Sequence, residues 1–388
     1  MRSIIGATLS LLSTLAAAES PLFLQDNSLD ASKAHSPNVE IVARLSDLDP
    51  SGIAVIDGRL FLSFPKHDAD HNGPVLGEWR DGRLLPFPDA KVAQSSSGDP
   101  AKRLVSVHGI TSDSKGRLWV VDDGKVKGHD IPAGGAKIVG FDPASGRTFA
   151  TVVIAAALLK GSHLNDLRID LSHGKQGTAY ISDSSFDNHP AMVVVDLASG
   201  RQRRVLSGDP SISGDPGYLT VLEGRVLTTS QHSPTFPGGG VDGVALSSDN
   251  RLLYFAALSS RRLYAVPTAL LADFTVSDAT LAKAVIDLGE KGASDGMATD
   301  PWGRLYTTAA DHNAIFRRNL DGHFDNIASD SRFIWPDGIF ATDRFVYVVL
   351  GQWTRLPQYH NGVDRRQPPY LVARVPIEAP ECHHAHIP

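Results

Sequence analysis

One phrase recurs six times along the chain, and a fold must place all six copies alike. The copies are "PSGIAVIDGRLFLSF" from Pro50, "VHGITSDSKGRLWVVDDG" from Val107, "LNDLRIDLSHGKQGTAYISD" from Leu164, "VDGVALSSDNRLLYFAAL" from Val241, "SDGMATDPWGRLYTTAADHNAIFR" from Ser294 and "PDGIFATDRFVYVVLGQ" from Pro336. In each, a polar residue precedes a Gly, with Asp166 standing in for Gly in the looser third copy. A short apolar strand follows, then a turn rich in Asp, Ser and Gly, then a second strand of the type Arg-Leu-aromatic. The alternation is that of strands, and the turn residues supply the positive φ angles that hairpins need.

The copies begin at Gly52, Gly109, Asp166, Gly243, Gly296 and Gly338, at intervals of roughly forty to eighty residues, the length of a four-stranded propeller blade plus variable loops. They predict an all-β, six-bladed β-propeller over residues 39–378. A solenoid would show shorter, stricter periods and capping repeats. Local helical periodicity is confined to Thr268–Phe274 and Val153–Leu159. Inner strands of a propeller converge on its axis, and the pairs Gly52/Ala54, Gly243/Ala245 and Gly296/Ala298 suit that crowding. Pairing of Val39–Leu45 with Tyr370–Ile377 is expected to close the ring and remove its exposed sheet edge.

Residues 1–18 join Arg2, an apolar run from Ile4 to Leu15, and the small residues Ala16 and Ala18. That is the pattern of a secretory signal cleaved after Ala18, too short to anchor in a membrane. Residues 19–38 read as an N-terminal extension and 379–388 as a flexible tail. The mature protein is expected to be soluble, monomeric, and secreted or periplasmic, with no membrane insertion. Cys382 is the only cysteine, so no internal disulfide forms, which favours a bacterial periplasm or outer surface over an animal secretory route. A net charge of -6 without a basic block argues against a nucleic-acid partner.

The polar residue before each inner strand is the informative position: Ser51, His108, Asn165, Asp242, Asp295 and Asp337. In a propeller these lie at one mouth of the central channel. Three converging carboxylates repel unless something offsets their charge. A divalent cation (Ca, Mn or Zn) on Asn165, Asp242, Asp295 and Asp337 would serve, and so would hydrogen bonds, a bound amine or shared protons. The plain alternative is that Asp before Gly caps a local turn. His108 has an ordinary pKa near neutrality and could act as a general base or simply fill the channel.

Other motifs are sparse. "GASDG", Gly292–Gly296, fits the nucleophile-elbow pattern around Ser294, but a strand follows where that motif needs a helix. The tail "ECHHAH" offers metal-ligand types without a scaffold to hold them. The segments 232–240 and 351–370 are too long and aromatic for plain turns. They are placed over the channel mouth, where Phe236, Trp335, Trp353 and Tyr359 would offer apolar walls.

The phrases "HLNDLRID", "GVDGVALSSDNRLLYFAALSSRRLYAVPT", "KGASDGMATDPWGRLYTTAADHNAI" and "IWPDGIFATD", in that order, resemble the major royal jelly protein/yellow family, over roughly Val39 to Ile377. The resemblance implies a secreted six-bladed propeller with a ligand channel, some of whose relatives bind biogenic amines and others of which are linked to dopachrome isomerisation. A more distant resemblance to gluconolactonase-like propellers implies a divalent-metal site, for which Asn165 and Asp242 or Asp295 could stand, with Ser51 where those enzymes use a Glu. Two functions follow. One is binding or isomerisation of a small aromatic or amine-bearing molecule, with Ser51, Phe236, Trp335 and Trp353 as contacts and His108, Asp295 and Asp337 as catalytic candidates. The other is metal-dependent hydrolysis of lactones or esters on Asn165, Asp242 and Asp295, with His108 or Asp337 as proton acceptor. A scaffold role stays open beside them.

Overall fold

The computed structural model describes residues 35–185, 189–228 and 239–380. Six antiparallel sheets of four strands each follow one another along the chain as six blades. Their inner strands are Ile53–Ile56, Val107–Ser112, Leu164–Asp170, Val241–Leu246, Met297–Thr299 and Trp335–Ala341. In five blades the four strands run outward in chain order. Blade six takes its outer strand from the other end of the chain. Glu40–Leu45 pairs antiparallel with Tyr370–Pro376, with Leu45 opposite Tyr370, so the ring closes as the sequence predicts.

The hydrophobic core lies between blades. Phe61 and Leu76 of the first blade meet Val120 and Phe141 of the second, and Ile138 of the second meets Ile181 and Val193 of the third. Tyr306 and Ile315 of the fifth pack on Val346 and Val375 of the sixth, and Val372 of the sixth reaches Leu62 of the first. Each blade thus buries both faces, which is why its middle strands read as nearly unbroken apolar runs.

The turn of the repeated phrase is built around its Asp. Asp300 accepts the backbone N–H groups of Trp302 and Arg304 (both 3.0 Å), the Arg304 Nε (2.6 Å) and the Tyr306 hydroxyl (2.9 Å). Asp113 does the same for Lys115, Arg117 and the Trp119 indole. The spacing Asp-x-x-Gly-Arg-Leu-aromatic is therefore one carboxylate organising a hairpin and tying it to the next strand. Asp300→Ala is expected to lower unfolding free energy by about 2 kcal/mol, the value of charged hydrogen bonds at a buried acceptor, as read by urea denaturation. Asp300→Asn should lose less.

Thr268–Ala272 is helical, within the predicted stretch, and a second helix, Asp278–Ala284, is capped by Ser277, whose Oγ accepts from the Thr280 N–H. Val153–Leu159 is not a helix. Thr148–Val153 is the outer strand of blade two, with Val153 opposite Lys137, and the chain then turns. The Gln202 side-chain oxygen accepts the N–H groups of Ala155 (2.9 Å) and Ala157 (3.1 Å), so they are satisfied without helical bonds. Among the described residues no helix is long and apolar enough to cross a membrane. The signal segment, residues 229–238 with Phe236, and residues 381–388 with Cys382 lie outside the described residues.

Candidate functional site

Backbone geometry aims the axial side chains. In blades two, three, four and six the ladder to the second strand slips between Val107 and Ile110, Leu164 and Leu167, Val241 and Val244, and Pro336 and Ile339. Such bulges leave residues unpaired and re-aim them. The residues skipped are His108–Gly109, Asn165–Asp166, Asp242–Gly243 and Asp337–Gly338, the pair that opens each copy of the phrase. The glycines are required by closeness to the next blade. A Cβ on Gly243 would stand 2.2 Å from the Asp295 carbonyl oxygen, one on Gly296 2.3 Å from that of Asp337, and one on Gly338 2.3 Å from that of Ser51. Each glycine seats the backbone that carries the following axial side chain.

Blade three breaks this rule with Asp166, which lies 3.7 Å from Arg168. The Arg168 guanidinium donates to the Met297 carbonyl (2.6 Å), from the third blade to the fifth. The Arg168 side chain thus ties two blades that are not neighbours in the ring.

A cavity of about 330 Å³ is bordered by all six axial residues: Ser51, His108, Asn165, Asp242, Asp295 and Asp337. Each carboxylate has a donor of its own. Asp242 accepts from the Asn165 amide (2.6 Å) and the Ser184 hydroxyl (3.2 Å), Asp295 from the Trp335 indole (2.7 Å), and Asp337 from the Ser51 hydroxyl (3.0 Å). Burial and the neighbouring carboxylates push Asp242 and Asp337 well above the ordinary Asp range. Burial and Asp166 raise Asp295 to about 7, against the opposing pull of Trp335, Asp242 and Lys291. Lys291, 2% exposed, is lowered to about 7 by burial and by the Arg261 charge.

The wall is aromatic. Trp335 and Trp353 approach at 5.3 Å between ring centroids, and Tyr359 meets Trp353 edge-on at 4.8 Å. Trp353 donates from its indole to Asp68 (2.6 Å). The segment that carries Trp353 and Tyr359 forms two short 3-10 turns, Trp353–Arg355 and Pro357–Tyr359. It is clamped by the Arg355–Glu223 ion pair to the hairpin formed by Val221–Leu222 and Arg225–Val226.

Opposite the carboxylates stand three histidines, of which the sequence reading singled out one. His67, His108 and His163 all border the cavity, and their rings lie 4.5 to 5.1 Å apart, centre to centre. Burial together with the His67 charge pushes His108 down to about 3, and His163 is lowered for the same reasons. Burial opposes charge on His67 too, but Asp68 and Asp123 outweigh it and hold His67 up at about 10. His67 belongs to the loop "PKHDADH" between two strands of blade one, and His163 directly precedes the inner strand of blade three. Their clue in sequence was His density in loops, which the repeat does not mark. Ser294 is 3% exposed and donates to the Gly296 carbonyl (3.3 Å), with a strand and no helix after it, so the nucleophile elbow is absent.

Similarity to known proteins supports the propeller fold. Major royal jelly proteins 2 and 5 of Apis mellifera are each 27% identical to the chain, over 203 and 226 residues, 49% and 54% of this chain. Those stretches are 40% and 34% of the relatives' own length. Among solved structures, a luciferin-regenerating enzyme superimposes with a TM-score of 0.53 at 14% identity, covering 88% of this chain and 95% of its own. A gluconolactonase from Xanthomonas campestris does so at 0.51 and 12% identity, covering 91% and 94%. At such identities these two show the shared fold. The family model described as "Major royal jelly protein" matches residues 105–375, from the second blade to the closing strand, and the chain is a member of the major royal jelly protein family.

Proposed function

We propose that this protein is exported and binds a small cationic aromatic molecule, an arylalkylamine, in the cavity at the channel mouth. The observation that carries the reading is the Asp295–Trp335 pair: a half-buried carboxylate held at 2.7 Å by the indole that lines the wall beside it. An ammonium group settles among Asp242, Asp295 and Asp337, and its ring lies against Trp335 and Trp353. A cavity of about 330 Å³ is at the small end of ligand pockets, which run about 300–1,000 Å³. Two raised carboxyls on neighbouring blades, Asp242 and Asp295, offer a proton donor and an acceptor, which a prototropic isomerisation of the bound molecule would need.

Calorimetry with dopamine and tryptamine tests the binding. Asp295→Asn is expected to weaken it about tenfold to a hundredfold, the loss of a charged hydrogen bond of about 1.5–3 kcal/mol. Equal affinity in this variant, or no heat with either amine, removes the reading. Asp295 ionises near pH 7 while the amine stays cationic, so affinity should rise from pH 5.5 to 7.5 and then level off. Lys291 loses its own charge near pH 7, which works in the same direction. A pH-independent affinity would contradict the role of Asp295.

Metal-dependent lactone hydrolysis on Asn165, Asp242 and Asp295 has less support. A hard cation takes carboxylate and carbonyl oxygens, and Asp242 already accepts on both of its oxygens, from the Asn165 amide and the Ser184 hydroxyl. Ser51, where the lactonase pattern implies a Glu, turns its hydroxyl to Asp337. The set therefore lacks the carboxylate that this pattern implies at the first blade.

A further inference from the structure

We propose that His67, His108 and His163 form a site for a borderline first-row transition ion, Zn²⁺ or Cu²⁺, on the wall of the cavity opposite the aspartates. Among the described residues these three bring one nitrogen each to within 4.8 Å of one another. Around a tetrahedral ion with metal–nitrogen bonds of about 2.0–2.1 Å, such nitrogens stand roughly 3.3 Å apart, so small side-chain rotations close the set. The rings come from three successive blades, and 7% of His108, 7% of His163 and 8% of the His67 side chain is exposed. The His108 Nδ1 is buried without a hydrogen-bond partner.

What surrounds the trio also belongs to a metal centre. Asp123, 1% exposed, sets its carboxylate 3.0 Å from His67 Nδ1 and accepts the Lys125 N–H through its other oxygen (2.8 Å). A carboxylate on one imidazole nitrogen fixes the tautomer and turns the other toward the ion. That other nitrogen, His67 Nε2, is 3.4 Å from Asp68 Oδ2, the oxygen that accepts the Trp353 indole, so an anionic group stands beside the trio. Asp122, next in the chain to Asp123, is anchored by Lys137 (2.6 Å) and by the Val105 and Ser106 N–H groups (both 2.8 Å), which makes the support rigid. Three imidazoles select Zn²⁺, Cu²⁺ or Ni²⁺ over Ca²⁺ and Mg²⁺, which prefer oxygen. The inference is independent of the amine reading, which depends on the opposite wall.

The test uses the full chain, stripped with a chelator, and a parallel protein carrying Cys382→Ser, His383→Ala, His384→Ala and His386→Ala, since the tail could bind metal by itself. Calorimetry should find one Zn²⁺ site retained in the tail variant and no Ca²⁺ site on the histidines. His67→Ala and His163→Ala should each weaken Zn²⁺ binding at least a hundredfold, and Asp123→Asn about tenfold to a hundredfold. Asp295→Asn should leave it unchanged, which separates failure here from failure of the amine site. Nitrogen hyperfine coupling in the Cu²⁺ resonance spectrum of the tail variant gives a readout should a histidine variant misfold. Zn²⁺ binding that survives both histidine substitutions, that disappears with the tail or with Asp295→Asn, or a Cu²⁺ spectrum without nitrogen coupling overturns the proposal.

Discussion

Gly243→Ala should destabilise the protein by about 3 kcal/mol or more, at or beyond the upper end of ordinary overpacking. The added Cβ would stand 2.2 Å from the Asp295 carbonyl oxygen, and that oxygen belongs to the next blade's backbone. No side-chain rotation relieves the clash. One blade must move away from the next, and the ring leaves little room for that. Gly73→Ala is the control, because its Cβ meets only the end of the Leu48 side chain (2.5 Å), which can swing aside. It should cost less than about 1 kcal/mol. Urea denaturation of both variants measures the difference. Comparable losses would show that glycines at the axis are not what sets blade spacing. Because Gly243 seats Asp295, the variant should also bind arylalkylamines more weakly than its residual stability alone explains.

Lys137→Met is expected to cost about 3–5 kcal/mol, the price of stranding one partner of a buried ion pair. Lys137 and Asp122 are each at most 1% exposed, and Lys137 also donates to the Pro100 (2.9 Å) and Gly135 (3.0 Å) carbonyls. Burial raises Asp122 even in the presence of Lys137, which opposes the shift. Without the lysine, Asp122 rises further, and the fold retains its proton to higher pH than the unfolded chain does. Stability of the variant should therefore fall as pH rises through the folded value, and its deficit should shrink in acid. Adding Asp122→Asn should recover part of the loss. A deficit equal at pH 5 and pH 8 would show that charge burial is not its cause.

The blades were legible because each copy of the phrase records one event, a strand arriving at a crowded axis. Ser51, His108, Asn165, Asp242, Asp295 and Asp337 share a mouth because each sits just before or at the start of its inner strand in the same sense. The closing pair was legible because both strands alternate like the rest. His67, His163, Asp68 and Lys291 were not singled out, since they sit beside the repeat or in connections between strands. Their meeting depends on the circular order of blades, which no local pattern states. Val153–Leu159 was misread because an Ala- and Leu-rich run has helix periodicity. The Gln202 side chain, from the next blade, satisfied its backbone instead.

The closure at Glu40–Leu45 also bears on how the protein is made. During synthesis that strand emerges first, and its partner Tyr370–Pro376 emerges after all the other blades. Until then the growing chain has no closed ring, and the edges of its first and latest blades stay open to stray pairing. Folding can begin blade by blade from neighbouring contacts, but the final latch joins segments separated by almost the whole propeller. That step is slow in proportion to its contact distance. Opening the latch, in turn, would loosen the ring around the axial aspartates and histidines, so the cavity they border and the seam of the ring stand or fall as one unit.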